Sequence, residues 1–152
     1  MSEWENKRAG GGLFWSPLEP EVFLSANGAV LTRQADGTIL SGGPRPEVET
    51  CSITMTSGLR RITALRLDLL TDESLPLKGP GRADNGNLHL SELEVQLFKP
   101  GAAQPEKLKL RGASSDYDQA GWGIERALDG DLKTAWGIHP AVGEGHHAVF
   151  EL

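Results

Sequence analysis

The segment 126–136 carries the densest group of oxygen-bearing side chains in the chain. Asp129-Gly130-Asp131 is followed by Thr134, and the glycine between the two aspartates lets the backbone fold so that both carboxylates converge. Carboxylates, hydroxyls and backbone carbonyls on a tight loop are the ligands that Ca²⁺ prefers. The spacing is not that of an EF-hand, whose ligands are spread along a longer loop that ends in a Glu. Taken alone, Asp-Gly-Asp is also typical of a turn at the end of a helix, so both interpretations stay open.

Glu92 is the second residue in an unusual position. A strand is predicted over 88–98, and there Leu88, Leu90 and Glu92 fall on one face because alternate residues of a strand share a face. An ionised carboxylate among apolar side chains is unfavourable unless it is paired or bound to a metal ion. The pattern therefore predicts an ion pair or a metal ligand at Glu92.

Side chains that could bind a sugar lie in two other places. Residues 71–87 form a long loop rich in proline and glycine, and loops of this length in a compact domain are usually functional or disordered. Within it Arg82, Asn85 and Asn87 could supply hydrogen bonds to a ligand, or they could form turns and ion pairs. Trp122, between two glycines, could stack on a sugar face or pack in the core. These four residues are the candidate ligand-binding residues.

The composition excludes several classes of protein. The 152-residue chain has 15 Lys+Arg against 21 Asp+Glu, a formal charge of −6. This charge argues against a nucleic-acid partner, because such binding depends on basic side chains. No run approaches the ~18 apolar residues of a membrane span. Cys51 is the single cysteine, which excludes an intrachain disulfide and a four-cysteine zinc site; its alternation with Ile53 and Met55 predicts a buried strand thiol.

None of the usual catalytic arrangements is found. Ser114 lacks the Gly-x-Ser-x-Gly turn of serine hydrolases. Glu92 and Glu94 project in parallel from one predicted strand, so they do not flank a scissile bond from opposite sides. Adjacent histidines in a strand, such as His146 and His147, point to opposite faces and do not readily chelate one zinc ion. We therefore predict that the protein is not an enzyme.

Short strands joined by turns must position these residues. The 19 Gly and 9 Pro are spread along the chain, which argues against a bundle of long helices. Strand signals at about ten-residue spacing predict an antiparallel β-sandwich or barrel as one domain over 13–152, after a flexible lead-in at 1–12. Asn27-Gly28 and Asp36-Gly37 predict tight turns between the first three strands. The predicted strands are 22–25, 29–34, 38–41, 49–56, 61–70, 88–98, 107–110 and 147–152, with one helical turn within 121–131.

A resemblance to a known family favours the metal interpretation of the 126–136 segment. Ala127-Leu-Asp-Gly-Asp-Leu-Lys-Thr-Ala-Trp136 resembles the Ala-x-Asp-Gly-x-x-x-Thr-x-Trp signature of discoidin-like domains, which include coagulation factor type C domains and family 32 carbohydrate-binding modules. The resemblance implies an all-β fold, a galactose-binding-like jelly-roll sandwich, with a structural calcium ion beside this loop. The calcium ligands that it implies are the Arg126 carbonyl, the carboxylates of Asp129 and Asp131, Thr134, and a Glu from a neighbouring strand.

The order of the segments differs from that family. In discoidin-like domains the Glu strand follows the Asp-Gly loop, whereas here the matching segment, Leu90-Ser-Glu-Leu-Glu-Val95, precedes it. The chain therefore resembles a circularly rearranged member in which Glu92 is the fifth ligand. Trp136, which directly follows the metal loop, is assigned to the core.

A second resemblance extends from Trp15 to Leu152. It is carried by Trp15-Ser-Pro-Leu18, Ile62-Thr-Ala-Leu-Arg-Leu67, Gly79-Pro-Gly-Arg-Ala-Asp-Asn-Gly-Asn87, Leu90-Ser-Glu-Leu93, Ala113-Ser-Ser-Asp-Tyr-Asp-Gln119 and His147-Ala-Val-Phe-Glu151. These blocks are similar to a domain that recurs in planctomycete proteins beside cytochrome-c-like modules, in large exported chains. The family pattern continues beyond the last strand with another hairpin, so the resemblance implies a missing strand or a different closure of the sheet at Leu152.

The sequence therefore predicts a monomeric, non-catalytic carbohydrate-binding module with a structural calcium ion. Its partners would be a glycan and the other domains of a larger exported protein. The first residues contain no apolar segment of the kind found in a signal peptide, and the compartment is left open. The alternative is a structural or protein-interaction module that keeps the fold and binds no sugar.

Overall fold

The computed structural model describes residues 14–152, so the lead-in predicted at 1–12 lies outside the described residues. This part of the chain is all-β, with antiparallel pairing throughout. It divides into two compact units, one ending at Gly58 and the other running from Leu59 to Leu152, and each is described by itself. Between residues 14 and 152, no helix is long and apolar enough to cross a membrane.

The first unit contains two strand pairs. β2 (Val30–Arg33) and β3 (Ile39–Gly42) form a hairpin, which confirms the turn predicted at Asp36-Gly37. Gly37 has a φ of 87°, a conformation that glycine adopts without strain. The Asp36 carboxylate accepts hydrogen bonds from the backbone N–H and the hydroxyl of Thr38, which fixes the turn between the two strands.

The other pair in this unit joins distant segments. β1 (Val22–Ser25) pairs with β4 (Cys51–Thr54) rather than with β2, so Asn27-Gly28 does not close a hairpin. The reason is Glu49, whose carboxylate accepts hydrogen bonds from the Ser25 hydroxyl and from the N–H groups of Asn27 and Ala29. This carboxylate draws the turn after β1 toward the start of β4.

Cys51, predicted to be a buried thiol, is exposed. All four residues of β4 are exposed. The prediction was wrong because alternation shows which side chains share a face of a strand, but does not show whether another layer covers that face.

The second unit is organised around its last strand. β11 (His146–Glu151) lies between β5 (Ala64–Leu69) and β9 (Gly112–Ser115), antiparallel to both. Being paired on both sides, the final strand is not a free edge. Its alternation is strict, with His146, Ala148 and Phe150 buried. The strand predicted at 61–70 corresponds to β5, but β9 had no counterpart in the prediction.

The core of this unit forms where β11 meets the segment before it. Trp136, Ile138 and Phe150 are the largest fully buried side chains among the described residues. Trp136 belongs to β10 (Trp136–Gly137), and its indole N–H donates to the Tyr117 carbonyl at 3.0 Å. This hydrogen bond satisfies the one polar group of a buried indole, and the assignment of Trp136 to the core is confirmed.

The single strand predicted at 88–98 is interrupted. It consists of β6 (His89–Leu90), which pairs with β10, and β7 (Gln96–Leu97), which pairs with β8 (Glu106–Lys107). Between them the N–H of Leu93 donates to the carbonyl of Ala127 at 2.9 Å. Ala127 belongs to a 3₁₀ segment, Ile124–Leu128, which is the helical turn predicted within 121–131. The interruption therefore places Glu92 beside the end of that segment.

Candidate functional site

The structure brings Glu92 to the loop that contains Asp129. Glu92 Oε1 accepts a hydrogen bond of 2.5 Å from the backbone N–H of Gly130, across 38 residues of sequence. The Thr134 hydroxyl donates to Asp129 Oδ2 at 2.6 Å. Three of the five predicted calcium ligands, Glu92, Asp129 and Thr134, therefore belong to one connected group of oxygens.

The loop 129–134 is held by its own side chains. Asp129 Oδ1 accepts the N–H of Asp131 at 2.8 Å, and Asp131 Oδ1 accepts the N–H of Lys133 at 3.0 Å. Gly130 has a φ of 78°, which reverses the chain at little cost. Because Asp129 is the residue that directly follows the 3₁₀ segment Ile124–Leu128, the turn at a helix end that the sequence also allowed is present as well.

Asp129 is the most strongly stabilised carboxylate of this group. Hydrogen bonds from the Thr134 hydroxyl and from the Asp131 N–H hold the pKa of Asp129 below its usual value. The positive charge of Arg126 acts in the same direction. Asp129 is therefore ionised at neutral pH, and it is exposed to solvent.

The oxygen types suit a calcium ion better than a transition metal. Within the described residues 14–152, no three His, Cys, Asp or Glu side chains lie close enough together to hold a metal. Ca²⁺ also accepts hydroxyl and backbone carbonyl oxygens, and here two carboxylates and a hydroxyl converge. Asp131 is turned toward the N–H of Lys133. Arg126, whose carbonyl is the remaining predicted ligand, lies in the last turn of the 3₁₀ segment.

Asn87 connects the 71–87 loop to the rest of the second unit. Its amide oxygen accepts the N–H groups of Ile138 and His139, both at 3.0 Å. Its amide nitrogen donates to Gln119 Oε1 at 3.0 Å. Asn87 was expected to bind a ligand, but the side chain is buried and both ends of its amide are used within the fold. It therefore positions the loop.

The other two loop candidates differ in exposure. Asn85 is exposed, and its amide oxygen accepts the N–H of Asn87 at 3.1 Å. Arg82 is half-buried next to Gly81. The N–H of Gly81 donates to the carbonyl of Gly86, and the N–H of Ala83 donates to that of Asn87. These two bonds close the loop on which both side chains stand.

Trp122 forms an aromatic pair with His89. The two rings are stacked, with centroids 4.3 Å apart and planes inclined by 14°. Trp122 is half-buried and His89 is exposed. The backbone N–H of Trp122 donates to the Gln119 carbonyl, and its carbonyl accepts the N–H of Gly137. The main chain of Trp122 is therefore held in place next to Gln119, and its indole is stacked on His89.

Sequence reasoning missed His89, Gln119 and Glu125 as neighbours of Trp122. A Cβ added at Gly123 would collide with the Glu125 carboxylate, which shows that this carboxylate lies against the backbone next to Trp122. His89 could have been identified from the sequence, because it is two residues from Asn87 and alternate residues of an extended segment lie on the same face. Gln119 and Glu125 had none.

The two groups of residues differ in chemistry. The group at Glu92 and Asp129 is acidic and suits a cation, whereas the group at Trp122 combines an aromatic pair with amides and a carboxylate, which are the groups that hold a pyranose ring. Comparison with protein-family models, with curated proteins and with solved structures gave no match.

Proposed function

We propose that the protein is a non-catalytic carbohydrate-binding module in which a structural calcium ion joins Glu92 to the Asp129 loop. The observation that carries this proposal is the approach of the Glu92 carboxylate to Asp129 and Gly130. Two carboxylates in contact repel each other unless a proton or a cation lies with them. A divalent cation removes that repulsion and satisfies the remaining oxygen lone pairs.

The proposed ion would supply rigidity rather than chemistry. Glu92 and Asp129 would provide its carboxylate oxygens, Thr134 its hydroxyl, and Arg126 a backbone carbonyl, while Asp131 would turn from Lys133 to complete the set. The ion would tie the end of the 3₁₀ segment to the segment between β6 and β7. Since Ile124 and Ala127 of that 3₁₀ segment pack in the core, the binding energy would stabilise the whole second unit.

We propose the surface around Trp122 as the sugar-binding face. The main chain of Trp122 is held by two hydrogen bonds and its indole stacks on His89. The ring is therefore a preorganised apolar surface, and such aromatic surfaces bind at a low entropic cost. Asn85, Arg82 and Glu125 would supply hydrogen bonds to hydroxyl groups. In this proposal the fold is the galactose-binding-like jelly roll, with the Glu92 segment placed before the Asp-Gly loop by circular rearrangement.

A glycan array in CaCl₂, followed by tryptophan fluorescence titration with the glycans that bind, tests the proposal. We expect saturable binding by the wild type and a loss of at least about tenfold in affinity for Trp122→Ala, because truncation of an aromatic anchor in a binding site costs about 2 kcal/mol or more and about 1.4 kcal/mol corresponds to tenfold. Phe98→Ala is the matched control, since Phe98 is an aromatic residue 67% exposed and lies in neither proposed site. Binding of equal strength by Trp122→Ala would place the site elsewhere.

The alternative, a protein-interaction module, is favoured by one feature of the first unit. Val22 and Leu24 are both exposed and lie on one face of β1, because alternate residues of a strand share a face, and a contiguous exposed apolar surface often marks a protein contact. If titrations with galactosides and sulfated polysaccharides are flat, and Leu24→Glu abolishes capture of the other domains of a parent chain, the alternative replaces the carbohydrate proposal.

A further inference from the structure

His146 is a buried histidine enclosed by two acceptor groups. It is the first residue of β11 and is 5% exposed. Its Nδ1 lies 2.9 Å from Asp116 Oδ2, and its Nε2 lies 2.6 Å from the backbone carbonyl oxygen of Ala141. Both distances are those of hydrogen bonds.

Both partners can only accept. A backbone carbonyl has no proton, and Asp116 is ionised at neutral pH. Partial burial alone would raise the pKa of Asp116, but hydrogen bonds from the His147 N–H and from His146 outweigh it and hold that pKa below its usual value. A neutral imidazole has one donor and one acceptor nitrogen. Only the doubly protonated ring of His146 can donate to Asp116 and Ala141 together.

The residues near the His146 ring belong to three parts of the chain: β5, the segment after β9, and the loop before β11. β5 places Leu69 opposite His146 and Asp68 opposite His147. The segment after β9 contributes Asp116 and the ring of Tyr117, whose centroid lies 5.8 Å from that of His146. His147 Nδ1 is 3.9 Å from Asp116 Oδ1. The loop before β11 also carries the exposed residues His139 and Glu144.

The Ala141 carbonyl belongs to a loop that contacts the proposed sugar-binding segment. In this loop, 138–145, the N–H of Gly143 donates to the Gly79 carbonyl at 2.7 Å. At its start, Ile138 and His139 donate to Asn87. The hydrogen bond from His146 ties Ala141 of this loop to the start of β11, while the other bonds join the loop to Gly79 and Asn87.

We propose that His146 is a pH-sensitive latch that holds the loop 138–145 in place when protonated and releases its Ala141 end when deprotonated. On losing one proton the ring keeps the N–H that faces the ionised Asp116, because hydrogen bonds to charged groups are the stronger ones. The Nε2 lone pair then faces the Ala141 oxygen, and this contact becomes repulsive. The stabilisation is therefore present at low pH, while Asp116 is ionised, and is lost as the pH rises and His146 deprotonates.

Nitrogen NMR of the histidine rings, combined with amide hydrogen exchange from pH 5 to 9, tests the latch on the full chain. The protection factor, which corrects for the intrinsic pH dependence of exchange, is compared between Gly143 and Ala148 in the central strand. We expect the protection of Gly143 relative to Ala148 to fall about tenfold as the His146 ring changes protonation state. No sugar or calcium is involved, so the outcome is independent of the proposed function.

Two variants separate the latch from general pH effects. Asp116→Asn replaces the ionised acceptor at Nδ1 with a neutral amide, so the pH dependence of the His146 ring signals and of Gly143 protection should change together. His147→Gln should leave both in place. The proposal is overturned if His146 keeps both protons from pH 5 to 9, or if it titrates while the ratio of Gly143 to Ala148 protection stays constant.

Discussion

The Glu92 carboxylate accepts the backbone N–H of Gly130 at 2.5 Å, and the next residue, Leu93, donates its backbone N–H at 2.9 Å to the carbonyl of Ala127, which lies just before Gly130 in the chain. Both bonds join the segment between β6 and β7 to the end of the 3₁₀ segment and the turn that follows it. The backbone bond between Leu93 and Ala127 sets the distance between the two segments. The Glu92 side chain then reaches the N–H of Gly130 at the Asp-Gly turn. A site of two converging carboxylates is therefore built into the fold, and its energetics depend on what neutralises them.

Calcium should stabilise the protein against heat. At a free Ca²⁺ concentration of about 100 times Kd, binding contributes on the order of 2.7 kcal/mol, which corresponds to a rise in Tm of roughly 5–10 °C for a chain of this size. Differential scanning calorimetry in CaCl₂ and in EGTA measures the difference. An identical Tm in the two buffers would exclude the calcium site.

Glu92→Gln should have opposite effects in the two buffers. Glutamine keeps an oxygen for the Gly130 N–H but removes one of two adjacent negative charges. In EGTA we expect a Tm equal to or above that of the wild type, and in CaCl₂ we expect no further rise. Glu94→Gln is the matched control, since Glu94 pairs with Lys107 on the surface and should leave the calcium response intact. A full calcium response in Glu92→Gln would remove Glu92 from the ligand set.

The unusual position of Glu92 could be predicted from the sequence, but the interruption of the strand that contains it could not. The carboxylate was conspicuous because it shared a face with Leu88 and Leu90, and the Asp-Gly loop was conspicuous by composition. The strand predicted at 88–98 nevertheless breaks, because Leu93 bonds to Ala127 instead of to a neighbouring strand. The pattern of neighbouring residues does not predict a hydrogen bond to a residue more than thirty positions away.

The same limit explains the other differences between prediction and structure. β5 and β11 were predicted because their apolar alternation is long. β9, with the sequence Gly-Ala-Ser-Ser, has no apolar alternation and forms because β11 supplies its pairing partner. Asn87 was a candidate ligand residue because its amide could form hydrogen bonds to a sugar, with turn formation as the alternative. In the structure its oxygen accepts from Ile138 and His139, which lie 51 and 52 residues away.

Removing the Asn87 side chain should strongly destabilise the second unit. In Asn87→Ala the N–H groups of Ile138 and His139 lose their acceptor, and each unsatisfied buried group costs about 1–3 kcal/mol. We expect a loss of about 2–4 kcal/mol in urea denaturation. Gln119→Ala leaves the acceptor for Ile138 and His139 in place and removes only the partner of the Asn87 amide nitrogen, so its loss should be the smaller of the two. Equal losses would show that the acceptor role is not the important one.

Asp116 should contribute to stability in a pH-dependent way. Its pKa in the folded state lies below the value of 3.8 for a free side chain, so its contribution is present above pH 3.8 and is lost as the pH falls through the folded pKa. The difference in unfolding free energy between wild type and Asp116→Asn should therefore be largest near pH 5 and should shrink toward pH 2. Asp68→Asn, which affects a surface pair with Arg66, is the control. A difference that grows as the pH falls would contradict the assignment.

The last prediction concerns the close approach of two backbone segments at Gly81. A Cβ at this position would lie 1.9 Å from the Asn87 carbonyl oxygen and 2.1 Å from its carbonyl carbon. Backbone atoms cannot rotate aside, so Gly81→Ala must open the loop and displace Asn87 from Ile138 and His139. We expect a loss of about 2–4 kcal/mol in urea denaturation, together with lost protection of the Ile138 amide in hydrogen exchange. Gly58→Ala, where an added Cβ has no neighbour within 4 Å, should change stability by less than about 0.5 kcal/mol. If Gly81→Ala were as stable as Gly58→Ala, the backbone at Gly81 could not lie against Asn87 as described. The role of Asn87 in positioning the loop would then also be contradicted.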